Sequence, residues 1–198
     1  MFVRWYPPDS WSYAYLLGFY LGDGYLSTEG QLLVVCDNLY PEIIEDVRTT
    51  MLLTSWRRYA GVHPHPMHNY SRVTCSWQGW FEAFPQHGPG RKHERPIVLE
   101  PWQERIVEAE PWAFLRGLLH SDGCRTVNRF QTKLPSGRVA QYAYPRWFFS
   151  NLSADIRGLF CATCEQLGLR WTQSNHRNIS ISDRRSVALV DEHVGAKA

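Results

Sequence analysis

The chain has 198 residues, 44% hydrophobic and 20% charged, enough to bury a core without disulfide staples. Twenty-one basic against nineteen acidic side chains leave a net charge of +2, which excludes a polycation and an acidic solvating tail. No window of 18 apolar residues occurs, and the start Met1-Phe-Val-Arg-Trp-Tyr has no basic region, apolar run or cleavage site, so a cytoplasmic protein without membrane contact is expected. The basic residues are 18 arginines and only three lysines, Lys92, Lys133 and Lys197.

In chain order, the first helical segment is Tyr15-Leu-Leu-Gly18-Phe-Tyr-Leu-Gly22-Asp23-Gly24. Two strands are predicted over 25 to 36 around the turn Ser27-Thr-Glu-Gly30, and a helix over 41 to 55 with Pro41 in its first turn. Strands near 57 to 62 and 70 to 77 and a short helix near 78 to 86 complete this unit. The histidine-rich stretch His63-Pro-His65-Pro-Met-His68 reads as a loop between strands. A linker over 89 to 110 contains Ile97, Leu99, Trp102, Ile106 and Val107, so it is expected to pack on the body. Then Phe114-Leu-Arg-Gly117-Leu-Leu-His-Ser121-Asp122-Gly123 repeats the first segment, its aspartate 99 residues after Asp23. Strands over 124 to 132 and 140 to 150 follow, split by the loop Lys133-Leu-Pro-Ser-Gly-Arg138. Ser153 caps a helix over 154 to 167, Gly168 ends it, two strands turn at Asn175-His176, and Asp183 caps the last helix. The order αββαββα thus occurs twice, over residues 10 to 88 and 111 to 198, an α+β fold of two pseudo-symmetric repeats. Ile44, Val47, Ile156, Leu159 and Phe160 are its expected core.

Five cysteines without a framework spacing read as small core residues. Cys161-x-x-Cys164 is the one pair that suggests zinc, but no second pair completes a ligand set.

The repeated segments carry the chemistry. Gly18 and Gly22, matched by Gly117 and Ser121, are small residues four apart on one helix face, so the two helices are expected to pack closely. Their C-terminal ends then meet, bringing Asp23 and Asp122 together, each followed by a glycine suited to a left-handed cap. Two carboxylates about 5 Å apart repel by about 3 kcal/mol at an effective dielectric of about 20, and the negative helix end adds to this. A positive partner is required, and magnesium fits, since it takes one or two carboxylates, waters and phosphate oxygens. For either Asp-Gly alone a simple helix stop is the better reading; the matched pair favours a site.

Here the sequence resembles the LAGLIDADG homing endonucleases in their monomeric, two-repeat form. Both segments share that motif's apolar pattern, its glycine and its terminal Asp-Gly, while Leu21 and His120 stand at its earlier acidic position. The resemblance implies a monomeric saddle whose two four-stranded sheets straddle duplex DNA, with the metal-binding aspartates Asp23 and Asp122 above the minor groove. It implies a site-specific double-stranded DNA endonuclease that hydrolyses one phosphodiester per strand with Mg2+. It also implies a basic residue just beyond the last helix of each repeat, where Lys92 and Lys197 stand, as further catalytic residues stabilising charge at the scissile phosphate.

DNA contacts are expected from saddle-facing strands: Arg125, Arg129, Gln131, Lys133, Arg138, Gln141 and Arg146, with Arg170 and Arg177 around the following hairpin. A solvated hairpin face is the plainer reading of such residues. The first repeat offers only Arg57, Arg58 and Arg72. Residues 1 to 110 hold nine basic and thirteen acidic side chains, residues 111 to 198 twelve and six, so recognition is expected to lean on the second half. A DNA-binding transcriptional regulator on the same fold, with little or no cleavage, is the competing reading. A protein-interaction module built on Trp77, Trp80 and Trp147 is a third, but it explains neither the paired aspartates nor the arginines.

Overall fold

In a computed structural model, which describes residues 5–195 and 197, the first repeat runs α1 (Ser10–Asp23), β1 (Gly24–Leu26), β2 (Gln31–Asp37), α2 (Pro41–Ser55), β3 (Gly61–Pro64), β4 (Tyr70–Ser76) and α3 (Trp80–Ala83). A linker helix, α4 (Pro101–Ala109), leads to α5 (Pro111–Asp122), β5 (Gly123–Lys133), β6 (Val139–Ser150), α6 (Ala154–Gln166), β7 (Thr172–Gln173), β8 (Asn178–Ile181) and α7 (Arg184–Val194). The two antiparallel sheets have matching strand orders, β1-β2-β4-β3 and β5-β6-β8-β7.

The expected signals start these helices. Asp9 accepts from the Ser12 amide at 2.9 Å to cap α1, Ser153 and Asp183 cap α6 and α7, and proline opens α2, α4 and α5, where a missing N–H costs nothing. At the centre α1 and α5 cross with their backbones in contact. A Cβ on Gly117 would lie 2.1 Å from the Tyr15 carbonyl oxygen, and one on Gly18 would lie 2.4 Å from that of Phe114. Tyr13 through Leu17 and Phe19 through Leu21 of α1 are buried, so the pair forms the central layer. Val47, Ile156 and Phe160 are buried in the core, with Ile44 and Leu159 packed half-buried against it.

The structure corrects several expectations. The linker packs on the body as expected but carries a helix that the sequence reading lacked: Trp102, Ile106 and Val107 of α4 are buried, and Gln103 donates from Nε2 to Tyr13 Oη at 2.7 Å. The linker also reaches the second repeat, where the Ile97 amide donates to Asp155 at 2.8 Å. Strand β3 begins only at Gly61, because Trp56 takes a left-handed φ of 54° at the end of α2 and the chain turns before pairing. His63 lies in β3 beside Thr74, and only His65 and His68 belong to the loop. Cys124 is exposed and Cys161 half-buried, so only Cys36, Cys75 and Cys164 are core residues. Trp80 and Trp147 are buried and Trp77 packs edge-on against Trp80, so Trp80 and Trp147 serve the core and not a surface. Among the described residues no helix is long and apolar enough to cross a membrane.

Candidate active site

The crossing of α1 and α5 brings the two aspartates' helix ends together. A Cβ on Gly22 would lie 3.1 Å from Asp122 Cγ and 2.2 Å from Ser121 Oγ, so the Asp122 carboxyl rests against the residue preceding Asp23. The glycines after the aspartates are not left-handed caps. Gly24 and Gly123 are extended, at φ −89° and −91°, and glycine is required there by close approach: a Cβ would meet Tyr20 Cα at 2.6 Å or the Leu119 carbonyl oxygen at 2.4 Å. The chain therefore leaves each helix directly into a strand.

Burial raises the pKa of both carboxyls. For Asp122 desolvation is the larger cause and the charge of Asp23 the next, pushing it up to about 6. Asp23 is open to solvent as a residue, but desolvation by the surrounding protein raises its pKa too, against the lowering effect of Lys197 and then Lys92.

Lys92 and Lys197 both arrive at this place, from the segments that follow α3 and α7. Lys92 Nζ donates to the carbonyls of Tyr20, Gly22 (3.1 Å) and Gly24 (2.7 Å) and lies 4.7 Å from the Tyr20 ring centre. Lys197 Nζ donates to Leu119 (3.3 Å), His120 (2.7 Å) and Ser121 (2.8 Å). Each ammonium thus sits on carbonyls at the negative end of one helix, among them Tyr20 and Leu119, which also accept from the cap glycines. An ammonium has three donors, and all three are directed at carbonyls, so these lysines act on their surroundings through charge. Burial lowers both pKa values, that of Lys92 to about 8.

The lysines are exchanged between the helices. Lys92 sits on the end of α1 but lines a cavity with Asp122, Ser150, Asn151 and Arg91. Lys197 sits on the end of α5 but lines a cavity with Asp23, Asp37, Asn69 and Tyr70. The charge effects agree: Asp122 acts on Lys92 more than Asp23 does, and Asp23 acts on Lys197 more than Asp122 does. Two pseudo-symmetric half-sites result, Asp122 with Lys92 and Asp23 with Lys197.

Among the described residues no group of three or more His, Cys, Asp or Glu could hold a metal ion, so Cys161 and Cys164 have no further ligands around them. Asp23 and Asp122 offer oxygen donors only, and among the described residues neither is ion-paired with a lysine. This donor set fits a hard cation that keeps waters and shares phosphate oxygens, as magnesium does.

The open face of the second sheet differs from the face expected for DNA contact. In the β5–β6 ladder Arg125 pairs with Trp147, and Gly123 pairs with Phe149; both aromatic partners are buried on the helix side. Arg125 itself makes a two-point ion pair with Asp191 of α7, at 2.9 and 2.8 Å. By the period of two, Arg129, Gln131 and Lys133 share the parity of Arg125, and Gln141 pairs with Gln131. The alternation was foreseen but the face was not, because the residues that set it lie at the far end of β6. The opposite, open parity carries Thr126, Asn128, Phe130 and Thr132 on β5 with Tyr142, Tyr144 and Arg146 on β6. The sequence reading missed all of these except Arg146, which stacks 4.6 Å over the Phe148 ring. Phe130, Tyr142 and Tyr144 form a ring cluster with centroids 5.3 to 6.0 Å apart.

Arg138, Arg170 and Arg177 are exposed at the hairpin ends. In the first half Arg72 stands on the open face of β4 beside Val35 and His63, while Arg57 and Arg58 border a neighbouring surface cleft with Gln31 and Ser76.

No family model and no curated protein matches the sequence. Among solved structures, the I-LtrWI LAGLIDADG homing endonuclease bound to target DNA matches with a TM-score of 0.58 and 9% identity, covering 95% of this chain and 85% of that one. The LAGLIDADG meganuclease I-AabMI bound to uncleaved DNA matches at 0.56 and 12%, covering 93% and 84%. The N-terminal LAGLIDADG domain of DUF199/WhiA matches at 0.55 and 14%, covering 96% and 83%. With two αββαββα repeats, two matching four-stranded sheets and Asp-Gly at the ends of the crossed helices, the chain has the LAGLIDADG two-repeat fold.

Proposed function

We propose that the protein is a site-specific double-stranded DNA endonuclease that acts as a monomer and requires Mg2+. The observation that carries this reading is the pair of half-sites, each with an aspartate on one helix end and the ammonium of the other repeat beside it. A binding module has no need of two carboxylates whose burial and mutual repulsion lift one pKa to about 6. Asp23 and Asp122 would hold the metal between the helix ends and the DNA backbone. When bound, magnesium supplies a Lewis acid for the scissile phosphate and an acidified water. Lys92 and Lys197 neutralise the helix ends and add fixed positive charge where the transition state becomes more negative. Thr126, Asn128 and Arg146 on the open face of the second sheet are the groups proposed to face the bases, with Arg72 in the first half. Arg57, Arg58, Arg138, Arg170 and Arg177 are the groups proposed to contact phosphates.

The second reading is a DNA-binding regulator that cuts little or not at all. It is favoured by the bond from Asn151 to Asp122, 2.6 Å long, which already occupies one carboxylate oxygen, and by the occurrence of the same fold in WhiA. Selection of bound sequences from a random duplex library, followed by incubation of the selected duplex with magnesium or calcium, separates the two. The endonuclease reading expects cleavage in magnesium only; salt-sensitive binding without any nicking leaves the regulator.

A further inference from the structure

His120 lies in the middle of the buried crossing, at 4% exposure. Its Nε2 is 3.0 Å from the Val194 carbonyl oxygen, and its Nδ1 is 2.9 Å from Tyr15 Oη. A carbonyl only accepts, so Nε2 carries the proton; Nδ1 then accepts from the tyrosine hydroxyl. Burial keeps the ring neutral, its pKa pushed down to about 3. The ring therefore ties together α1 through Tyr15, α5 through itself and α7 through Val194.

Val194 is the last residue of α7, and its carbonyl is one of the orphan acceptors of a helix end. Gly195 follows with a φ of 72°, and Lys197 Nζ lies on the end of α5. His120 meets both flanks: its ring takes the Val194 carbonyl, and its own carbonyl accepts from Lys197 at 2.7 Å. Among the described residues the first repeat shows no such device. Leu21 stands at the matching place, and Lys92 instead opens a one-turn 3-10 helix, Lys92–Glu94, beside Arg95, whose guanidinium donates to the Gln86 carbonyl.

We infer that His120 is the positioning residue for Lys197: its Nε2–H to the Val194 carbonyl docks the end of α7 so that the ammonium reaches the half-site of Asp23. Its consequence for cutting rests on the endonuclease reading above, but the docking itself does not. The protein has only three lysines, and Lys133 is exposed on the hairpin, so amine-reactive labelling read by mass spectrometry gives each one a separate rate. In the wild type Lys133 reacts fast and Lys92 and Lys197 slowly. His120→Phe keeps the ring and loses the donor; the rate at Lys197 is expected to rise about tenfold with Lys92 unchanged. His120→Gln restores a donor and keeps Lys197 protected. Lys197 as protected in His120→Phe as in the wild type would overturn the assignment. If His120→Phe does not fold, the wild-type imidazole nitrogen spectrum still decides: a protonated Nε2 supports the docking bond, and a protonated Nδ1 rules it out. Where the wild type cuts DNA, His120→Phe slows the same strand as Lys197→Ala. A wild type that does not cut defeats the endonuclease reading and leaves the labelling result standing.

Discussion

Asn151 donates to Asp122 at 2.6 Å, while Asn38, which holds the matching place after β2, accepts instead from Ser71 at 2.6 Å. Among the described residues no side chain donates to the carboxylate of Asp23. The half-sites are therefore chemically unequal, although the fold is nearly symmetric. The bond from Asn151 lowers the pKa of Asp122 against desolvation. Asn151→Ala is expected to raise that pKa further and to slow, about threefold to tenfold at pH 6.5, the strand served by Asp122 more than the other. Strand-resolved cleavage rates against pH check this.

Stability should depend on Asp122 with a definite sign. Its folded pKa, about 6, lies above the ordinary carboxyl value of 3.8, so its contribution is fully favourable below about pH 4 and is lost as pH rises through 6. Asp122→Asn is expected to stabilise the protein by on the order of 1–2 kcal/mol at pH 7.5, after allowance for its partial exposure. The gain should vanish near pH 3.5, as measured by denaturant unfolding at both pH values.

The pH profile of kcat/KM reports the free enzyme. With Asp122 at about 6 and Lys92 at about 8, cleavage should rise through pH 6 and fall above pH 8. Lys92→Arg should move the upper limb to higher pH, since a guanidinium stays charged.

At the helix crossing, Gly117→Ala places a Cβ 2.1 Å from the Tyr15 carbonyl oxygen. The atoms that it meets, of Tyr15 and Phe19, are backbone atoms, so no side chain can swing aside. A loss of about 3 kcal/mol or more, or failure to fold, is expected, while Gly137→Ala in the exposed hairpin turn, where only the positive φ of 80° is strained, should cost about 1 kcal/mol. Thermal unfolding of the two variants compares them.

Much of this was legible in the sequence. The repeat alone puts Asp23 and Asp122 together, and the scarcity of lysine singles out Lys92 and Lys197. Ser153, Asp183 and Pro41 marked helix starts because capping is local chemistry. Long-range facts were not legible. Nothing near Arg125 says that its strand parity belongs to Trp147, which is 22 positions later, and polar residues on both faces of β5 give no contrast to read. The helix α4 did carry a signal in Pro101 followed by Trp102, Ile106 and Val107, but the glycine-proline start of the linker masked it. The place of His120 in a buried network depends on Tyr15 and Val194, which only the folded chain brings near.

The corrected strand parity makes its own forecast. Asn128→Ala and Arg146→Ala on the open face should relax base preference by about 1–3 kcal/mol at the positions they face. Arg129→Ala should leave the selected sequence unchanged. Repeating the library selection with the three variants reads this out.

The exchange of lysines between the repeats is tested most directly by strand-resolved cleavage of the selected duplex in magnesium, comparing Asp23→Asn, Asp122→Asn, Lys92→Ala and Lys197→Ala. Asp23→Asn and Lys197→Ala should impair the same strand, and Asp122→Asn and Lys92→Ala the other. Impairment of one strand by Asp23→Asn together with Lys92→Ala, or cleavage untouched by both aspartate variants, would contradict it.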